Sequence, residues 1–403
     1  MSDTDKPTTP AAAAADKKAA PNNEPDTTKY KTAADIVHQV LKKLIELAVE
    51  GAKVIDLCVE GDKLVEQAIA GVFTKNVKGV KVIKGIAFPT SISVNNAADH
   101  FSPLASDPQS NQVLAKDDVV KIHLGAHIDG YAVISAETIV IGASPENPVT
   151  GRRADVIKAA WTAAEVAMRL IKVGNKNWQV TEAVQKIAAA WDCKPLEGII
   201  SCNHTQNVMD GKKRIILNPG ENHRREVETV TFAENDVYGI EILVTTSEEG
   251  KAREGDTRTS IYQRDHTVTY QLKMKSSRAV FSEVQKKSGA FPFNIRALED
   301  EKRSRLGLQE AVQHSLVRPY DVVYTPPGTY VAAFYFTIAL LAGGPLLLTQ
   351  PASWYKPELV KTEKELEDAE FKALLARNLR ENKKSKKKKA KAEADAAGEG
   401  DDE

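Results

Sequence analysis

Two windows near the start of the chain repeat apolar side chains at helical spacing. One runs from Ala33 to Val49 and is stopped by Gly51, and the second runs from Val54 to Ala70 and is closed by Gly71. Apolar residues three and four positions apart share one face of an α-helix, and glycine interrupts the helix. The pattern therefore predicts two amphipathic helices.

After Gly85 the pattern changes to short β-branched runs. Val119 to Leu124 and Tyr131 to Ile141 are predicted strands, joined by a hairpin connection over Gly125 to Gly130. The same criteria predict further strands at Val227 to Phe232, Val237 to Thr246, Val322 to Tyr324 and Val331 to Leu341, and helices at Ala154 to Ile171 and Val180 to Ala190. Because the helices lie in pairs between antiparallel-looking strand sets, an α+β fold is predicted.

A polar segment, about residues 265–319, forms an insert with a predicted helix over Glu299 to Leu316. From Tyr270 to Arg305 it carries nine Lys or Arg and four acids, a net charge of +5. Such a density of cations suits phosphate contacts, although charges on a helix commonly form only a solvated face. Both interpretations stay open, and the candidate nucleic-acid contacts are Lys273, Lys275, Arg278, Lys286 and Lys287.

Both ends of the chain have the composition of disordered tails. Residues 1–29 are rich in Ala, Pro, Thr and Asp without helix or strand periodicity. Residues 376–403, after a predicted acid-rich helix from Glu363 to Leu375, carry a lysine run and then an acidic terminus. The run would add salt-sensitive binding, act as a nuclear or nucleolar address, or only solubilise the tail. It consists of Lys383, Lys384, Lys386, Lys387, Lys388 and Lys389.

Composition favours a globular intracellular protein. The chain has 403 residues, 42% of them hydrophobic, and one domain is expected over residues 30–375. Its three cysteines lack the close spacing of a zinc or redox motif, which favours a reducing compartment. The N-terminus lacks the pattern of a secretory signal, and the longest apolar run, Val331 to Ala342, is too short to cross a bilayer, so no membrane insertion is expected.

Several short strings carry the chemical information. No serine elbow, P-loop or strand-linked dinucleotide fingerprint occurs. The strings instead resemble type 2 methionine aminopeptidases, whose pattern is roughly AFPT, NN, AAHY and VKIDFGTHI. They are Ala87-Phe-Pro-Thr90, Asn95-Asn96, Asp99-His100-Phe101, Asp118 to Gly130 and Val237-Tyr-Gly-Ile-Glu241. The resemblance covers about Tyr30 to Leu375 and implies the pita-bread fold of that superfamily, with the basic helical insert added.

In that family the resemblance implies two metal ions held by two Asp, one His and two Glu. The first Asp position is His123 here, and the second, which bridges the metals, is Ile134. The His position falls on Cys202, although a local shift in the alignment would bring Ser201 or His204 closer to it. One Glu is kept as Glu241, and the other bridging Glu is Tyr335. Isoleucine has no lone pair, and a phenol ionises only near pH 10. The two-metal site is therefore predicted to be lost, and neither catalysis nor a cofactor is expected.

Two alternatives remain at this site. A single-metal site from His123 and Glu241, completed by Cys202 or His204, is conceivable because imidazole, thiolate and carboxylate all suit zinc. A methionine aminopeptidase with such an altered metal site is the corresponding functional alternative. His100 matches the histidine that orients substrate in active relatives, and a structural role is expected for it here.

Further strings are similar to the proliferation-associated proteins, also described as receptor-kinase-binding or curved-DNA-binding. They include Pro195 to Gly198, Gly255 to Asp265, Leu272 to Ala279, Phe281 to Val284 and Arg296 to Lys302. His123 is a departure, because this branch usually keeps the first Asp. The resemblance implies a ribosome-associated protein of cytoplasm and nucleus or nucleolus that binds large-subunit rRNA, tunnel-exit proteins, structured RNA or curved DNA, with regulatory proteins as further partners. A protein-interaction scaffold or transcriptional co-regulator is the other alternative.

Overall fold

The computed structural model describes residues 26–75, 79, 81–220 and 223–380. Within them eight α-helices form: Thr27–Leu47 (α1), Val54–Ala70 (α2), Gly151–Leu170 (α3), Asn177–Ala189 (α4), His223–Glu226 (α5), Lys275–Lys287 (α6), Glu301–Gln313 (α7) and Ala369–Leu375 (α8). The same residues form the strands Lys84–Val94 (β1), Ala97–Asp99 (β2), Val119–Ile128 (β3), Tyr131–Val140 (β4), Lys194–Pro195 (β5), Ile200–His204 (β6), Arg214–Ile216 (β7), Val237–Thr245 (β8), Arg253–Glu254 (β9), Ile261–Arg264 (β10), Phe293–Asn294 (β11), Val317–Tyr320 (β12), Val323–Tyr324 (β13), Val331–Leu341 (β14) and Gly344–Leu347 (β15).

A large antiparallel sheet has the strand order β1-β3-β4-β14-β8-β6-β7, with β15 beside β14 and β5 beside β8. Helices α1 and α2 pack on the half that contains β1 and β3, whereas α3 and α4 pack on the half that contains β14 and β8. The two halves meet between β4 and β14, where Ala136 pairs with Tyr335. This seam positions the candidate site.

Helix α1 begins at Thr27, ahead of the predicted start at Ala33. The Asp26 carboxylate accepts a hydrogen bond from the Lys29 amide at 3.1 Å and so caps the first turn. Part of the segment expected to be disordered is therefore helical, while the tail residues 1–25 and 381–403, with the whole lysine run, lie outside the described residues. Helix α2 has the predicted bounds.

The predicted hairpin connection over residues 125–130 is shorter than expected. Strand β3 continues to Ile128, because its backbone pairs with β1 on one side and with β4 on the other. Only Asp129 and Gly130 form the turn, with φ of 53° and 80°. Positive φ at both positions suits the two-residue turns that join twisted antiparallel strands.

The predicted strand from Val227 to Phe232 is wrong. Only an isolated bridge between Thr231 and Lys176 occurs there. The Val230 amide donates instead to the side-chain oxygen of Asn177 at 3.1 Å, while the backbone amide of Asn177 donates to the Val230 carbonyl. Hydrogen bonds with the single residue Asn177 thus take the place of pairing with a neighbouring strand.

The insert contains two helices where the sequence predicted one. Helix α7 is shorter than its predicted span, and α6 precedes it as an additional helix. The two pack over a separate small core, and β10, β11 and β12 form a three-stranded sheet beside them. Arg296, paired with Asp62 at 2.7 Å, and Arg305, paired with Asp107, fasten the insert to the main body.

The acid-rich helix is also shorter than predicted. Its start is set by Asp368, whose carboxylate accepts hydrogen bonds from the Glu370 and Phe371 amides, so that α8 begins only at Ala369. None of the helices in the described ranges combines the length and the apolar character needed to cross a membrane.

Candidate functional site

Four strands of the large sheet place a row of residues across the seam. His123 lies opposite Ala136, Ala136 opposite Tyr335, and Tyr335 opposite Glu241. Neighbouring strands are about 4.8 Å apart, so a flat sheet would separate His123 from Glu241 by roughly 14 Å. Their ligand atoms nevertheless lie within 4.8 Å of each other. These side chains therefore lean towards each other across the seam, on one face of the sheet.

A cavity of about 450 Å³ opens on this face. It is lined by all five residues that the aminopeptidase pattern assigns to metal ligands, and by His100; the five are His123, Ile134, Cys202, Glu241 and Tyr335. His204 does not line it. That side chain is buried beside Gly239, at the place where any Cβ on this glycine would collide with it.

The residues at the two bridging positions do not fit a two-metal centre. Ile134 is 4% exposed and packs in an apolar cluster with Phe88 and Ile261. The phenol oxygen of Tyr335 lies over Gly239, and burial together with the nearby Glu241 carboxyl raises the pKa of Tyr335 well above 10. A hydrocarbon and a neutral phenol thus stand where two metals would need anionic oxygens.

Asp99 joins the site although the sequence patterns did not identify it. The Nδ1 atom of His123 is 3.2 Å from each carboxylate oxygen of Asp99, and the Nε2 atom of His100 is 3.4 Å from one of them. Asp99, His123 and Glu241 each offer one possible metal-ligand atom, and these three atoms lie within 4.8 Å of one another. We call them the ligand group. A signal was present, since Asp99 stands where the aminopeptidase pattern has alanine.

The buried carboxyl groups of Asp99 and Glu241 have pKa values that are shifted in opposite directions. Burial, followed by the charge and hydrogen bond of Asp99, raises the pKa of Glu241 well above its usual value. Burial also disfavours the charge on Asp99, but His100 and His123 outweigh it, and the pKa of Asp99 is lowered. Glu241 is therefore the protonated partner and donates a hydrogen bond to the Asp99 carboxylate.

The ring of His123 is held in place from two sides. It stacks on Phe88 with ring centres 4.3 Å apart and planes 4° from parallel, while Nδ1 faces Asp99. Its Nε2 atom is buried and has no hydrogen-bond partner among the described residues. Such a buried nitrogen costs free energy unless another group satisfies it.

Cys202 and His204 do not join this group of ligand atoms. Burial raises the pKa of the Cys202 thiol to about 11, so the thiolate that would bind a metal is disfavoured. Burial lowers the pKa of His204 to about 4, and the ring lies outside the cavity lining. Asp99 is therefore the third residue beside His123 and Glu241, where the sequence suggested Cys202 or His204.

The insert cations divide into two classes. Lys287, Arg296, Arg303 and Arg305 each pair with a carboxylate. Across the part of the chain that the structure covers, no acid pairs with Lys273, Lys275, Arg278, Lys286 or Lys302, and all five are exposed.

Two of the expected nucleic-acid contacts have structural roles. The guanidinium of Arg278 donates to the carbonyls of Leu272 and Lys273 at 3.0 and 2.6 Å, which fixes the entry into α6. The Lys287 ammonium is 2.9 Å from Glu283, four residues earlier on the same helix. Exposed lysines remain at both ends of α6.

Comparison with known proteins gives a consistent family. The model of metallopeptidase family M24 matches residues 28–257. A curved DNA-binding protein of Schizosaccharomyces pombe is 46% identical over 355 residues, which cover 88% of this chain and 90% of that protein. ERBB-3 binding protein 1 of Arabidopsis thaliana is 42% identical over 356 residues, covering 88% of this chain and 87% of that protein.

A solved structure of a thermophilic Arx1 superimposes on this chain with a TM-score of 0.81 at 33% identity, covering 88% of this chain and 98% of the other. The fold predicted from the sequence, the α+β pita-bread fold of the methionine aminopeptidases, is thereby confirmed. The chain belongs to metallopeptidase family M24 and, within it, to the branch of the curved DNA-binding and ERBB-3 binding proteins.

Proposed function

We propose that this chain is a non-enzymatic protein that docks on large-subunit ribosomal RNA, through a basic face made of Lys273, Lys275, Lys286 and Lys302. The observation that carries the proposal is their exposure without an acidic partner among the described residues, while neighbouring cations are paired. The Schizosaccharomyces pombe relative is a curved DNA-binding protein, which supports a nucleic-acid ligand.

The spacing of these lysines suits a phosphate backbone. Lys275 and Lys286 are eleven residues apart on α6, which corresponds to about 17 Å along the helix. This exceeds the Debye length of about 8 Å at physiological salt, so the two ends act on different phosphates. Lys302 lies at the Lys286 end, because its neighbour Arg303 reaches Glu283 at 3.5 Å.

The test is binding to a structured fragment of large-subunit rRNA, followed by fluorescence anisotropy between about 50 and 200 mM salt. The test variant combines Lys273→Gln, Lys275→Gln and Lys286→Gln. Arg278 is left intact because its backbone hydrogen bonds hold α6. A control of equal charge combines Lys42→Gln, Lys186→Gln and Lys361→Gln, which are exposed lysines on other surfaces.

We expect the test variant to lose about tenfold or more in affinity. Each lost phosphate contact also lowers the slope of log K against log salt by about 0.7 to 0.9. The control variant is expected to keep both quantities near those of the unmodified protein. Equal losses in the two variants would show that overall charge, and not the basic face, determines binding.

The absence of enzymatic activity is the second part of the proposal. It is supported by Ile134 and Tyr335, which offer no anionic oxygen at the bridging positions. Purified protein supplied with zinc, manganese or cobalt should not cleave the methionine from Met-Ala-Ser peptides. Turnover that follows the metal content would favour the alternative of an aminopeptidase with an altered site.

The C-terminal lysine run from Lys383 to Lys389 lies outside the described residues. We propose that it adds salt-sensitive affinity and directs part of the protein to the nucleus or nucleolus, with the rest in the cytoplasm. A chain that ends before Lys383, compared with the full chain by fluorescence microscopy and by the same binding assay, tests both roles. Unchanged distribution and affinity would leave the run as a solubilising segment.

A further inference from the structure

Three side chains from three different strands meet beside the cavity: His123 and Glu241 line it, and Asp99 is buried next to His123. Asp99 ends β2, His123 lies in β3, and Glu241 lies in β8. Each offers one ligand atom, and these atoms all lie within 4.8 Å of one another. Ligands bound to one zinc ion at about 2.0 to 2.2 Å are roughly 3.4 Å apart in tetrahedral geometry. Side-chain movements on the order of 1 Å would therefore complete such a set.

His123 connects the cavity to Asp99. It is 4% exposed and lines the cavity, and its Nδ1 atom is 3.2 Å from each oxygen of the Asp99 carboxylate, close to the separation of two ligands on one zinc ion. Nδ1 is therefore the atom that would bind an ion together with Asp99. The Nε2 atom, on the opposite edge of the ring, has no hydrogen-bond partner among the described residues and would make the second interaction, with water, that metal-binding histidines make.

Relative to the aminopeptidase pattern, the acid has moved. The pattern has alanine and aspartate where this chain has Asp99 and His123, respectively. A carboxylate is therefore lost from β3 and regained on β2, within hydrogen-bond distance of the histidine that replaced it. The group thus holds two carboxyl groups and one imidazole, and two carboxylates balance the charge of one divalent cation.

We propose that Asp99, His123 and Glu241 form a binding site for a single divalent transition-metal ion, of which zinc is the probe. The site differs from the two-metal centre of the family, because it uses Asp99 and excludes Ile134, Cys202 and Tyr335. One nitrogen and two carboxylate oxygens suit zinc, with water in the remaining position. The inference is independent of nucleic-acid binding by the basic face.

The experiment uses the full chain after treatment with a chelator and dialysis. Zinc chloride is titrated into it by isothermal calorimetry, and bound zinc is counted by elemental analysis. X-ray absorption at the zinc edge then identifies the ligand atoms. The test variants are Asp99→Asn and His123→Gln, which keep similar volumes. The matched control is Cys202→Ser, in the same cavity but outside the ligand group.

We expect one zinc ion per chain, a ligand shell of nitrogen and oxygen without sulfur, and a loss of affinity of about 100-fold or more in both test variants. The Cys202→Ser protein should bind like the unmodified chain. Circular dichroism establishes that each variant is folded. Absence of stoichiometric zinc, a sulfur ligand, or unchanged binding in folded Asp99→Asn protein would each overturn the proposal.

Discussion

At the scale of single residues, Ile134 lines the cavity, whereas His127 is buried outside the cavity lining. Ile134 fills with hydrocarbon the position of a bridging carboxylate, in contact with the ring of Phe88. His127, four residues beyond His123 on β3, lies outside the ligand group and stacks on Phe291 of the insert with ring centres 4.0 Å apart. Neither arrangement follows from local sequence preference, and each has a measurable consequence.

The Ile134→Asp substitution restores the acid of the family pattern at a buried apolar position. We expect metal-free protein to lose about 3 kcal/mol or more of its free energy of unfolding, because a buried carboxyl there lacks a partner. Urea denaturation monitored by circular dichroism measures the loss.

Ile134→Val is the matched control, and it removes one methylene group without adding charge. Its expected loss is about 1 kcal/mol. If the Asp and Val variants were equally stable, the position would not be an apolar plug.

His127 predicts a dependence of stability on pH. Burial lowers its pKa to about 4 in the folded protein, below the ordinary value of 6.5. The unfolded chain therefore takes up the proton first as the pH falls below 6.5, and the stabilising contribution is lost progressively towards pH 4. Between about pH 6.5 and pH 5 this single group accounts for up to about 2 kcal/mol.

In the His127→Phe variant we expect a smaller loss of stability between about pH 7 and pH 5, because phenylalanine keeps the stack on Phe291 without a titrating group. Urea unfolding at the two pH values measures the difference. His266→Gln is the control, since that ring is exposed. An identical pH dependence in His127→Phe and the unmodified protein would contradict the assignment.

At the scale of elements, the insert is a small unit with its own core, fastened to the main body at several points. Helices α6 and α7 approach closely because Gly307 faces Val280, where an added Cβ would lie 2.6 Å from a Val280 methyl carbon. The Glu310 carboxylate on α7 accepts hydrogen bonds from the Lys273 and Met274 amides, just before α6. The basic face thus depends on the contact between the two helices.

Gly307→Ala tests that contact. Alanine gains about 1 kcal/mol of helix propensity, but overpacking against Val280 costs about 1 to 3 kcal/mol, so loosening of the helix pair should prevail. Hydrogen exchange should become faster in α6 and α7 and stay unchanged in α3 and α4.

The control is Leu306→Ala on the same helix, where the leucine is 52% exposed and little change is expected. Gly307→Ala protein with normal protection of α6 would show that the helices have room to separate without loss of order.

At the scale of the whole molecule, the cavity and the basic face belong to different parts of one fold. The cavity lies at the seam between the two sheet halves, whereas the basic face lies on the insert beyond residue 257, outside the segment that the family model matches. A change in the cavity and a change on the basic face should therefore have separable effects.

We expect the Asp99→Asn protein to co-sediment with large ribosomal subunits like the unmodified chain. The Lys273→Gln, Lys275→Gln and Lys286→Gln protein should be released at lower salt, because it makes fewer phosphate contacts. Sucrose-gradient sedimentation at increasing salt measures both variants. Release of Asp99→Asn at equally low salt would mean that the cavity takes part in docking.

The sequence by itself determined the elements whose pattern is strong and local. Helix α2 and strand β14 have the predicted bounds, because regular apolar spacing and flanking glycines act over neighbouring residues. The order of short strings in the family pattern also identified five positions, from His123 to Tyr335, that meet in one cavity.

Only the tertiary structure decided which other groups reach those positions. Asp99 lies on β2 of a separate small sheet, yet its carboxylate reaches His123 of the large sheet, and the aminopeptidase pattern contains no acid at that place. Arg296 is neutralised by Asp62, 234 positions earlier in the chain, whereas Lys275 has no such partner in the described residues. Spacing along the chain determines which residues share a face, but charge pairing depends on contacts between distant segments, which only the folded chain brings together.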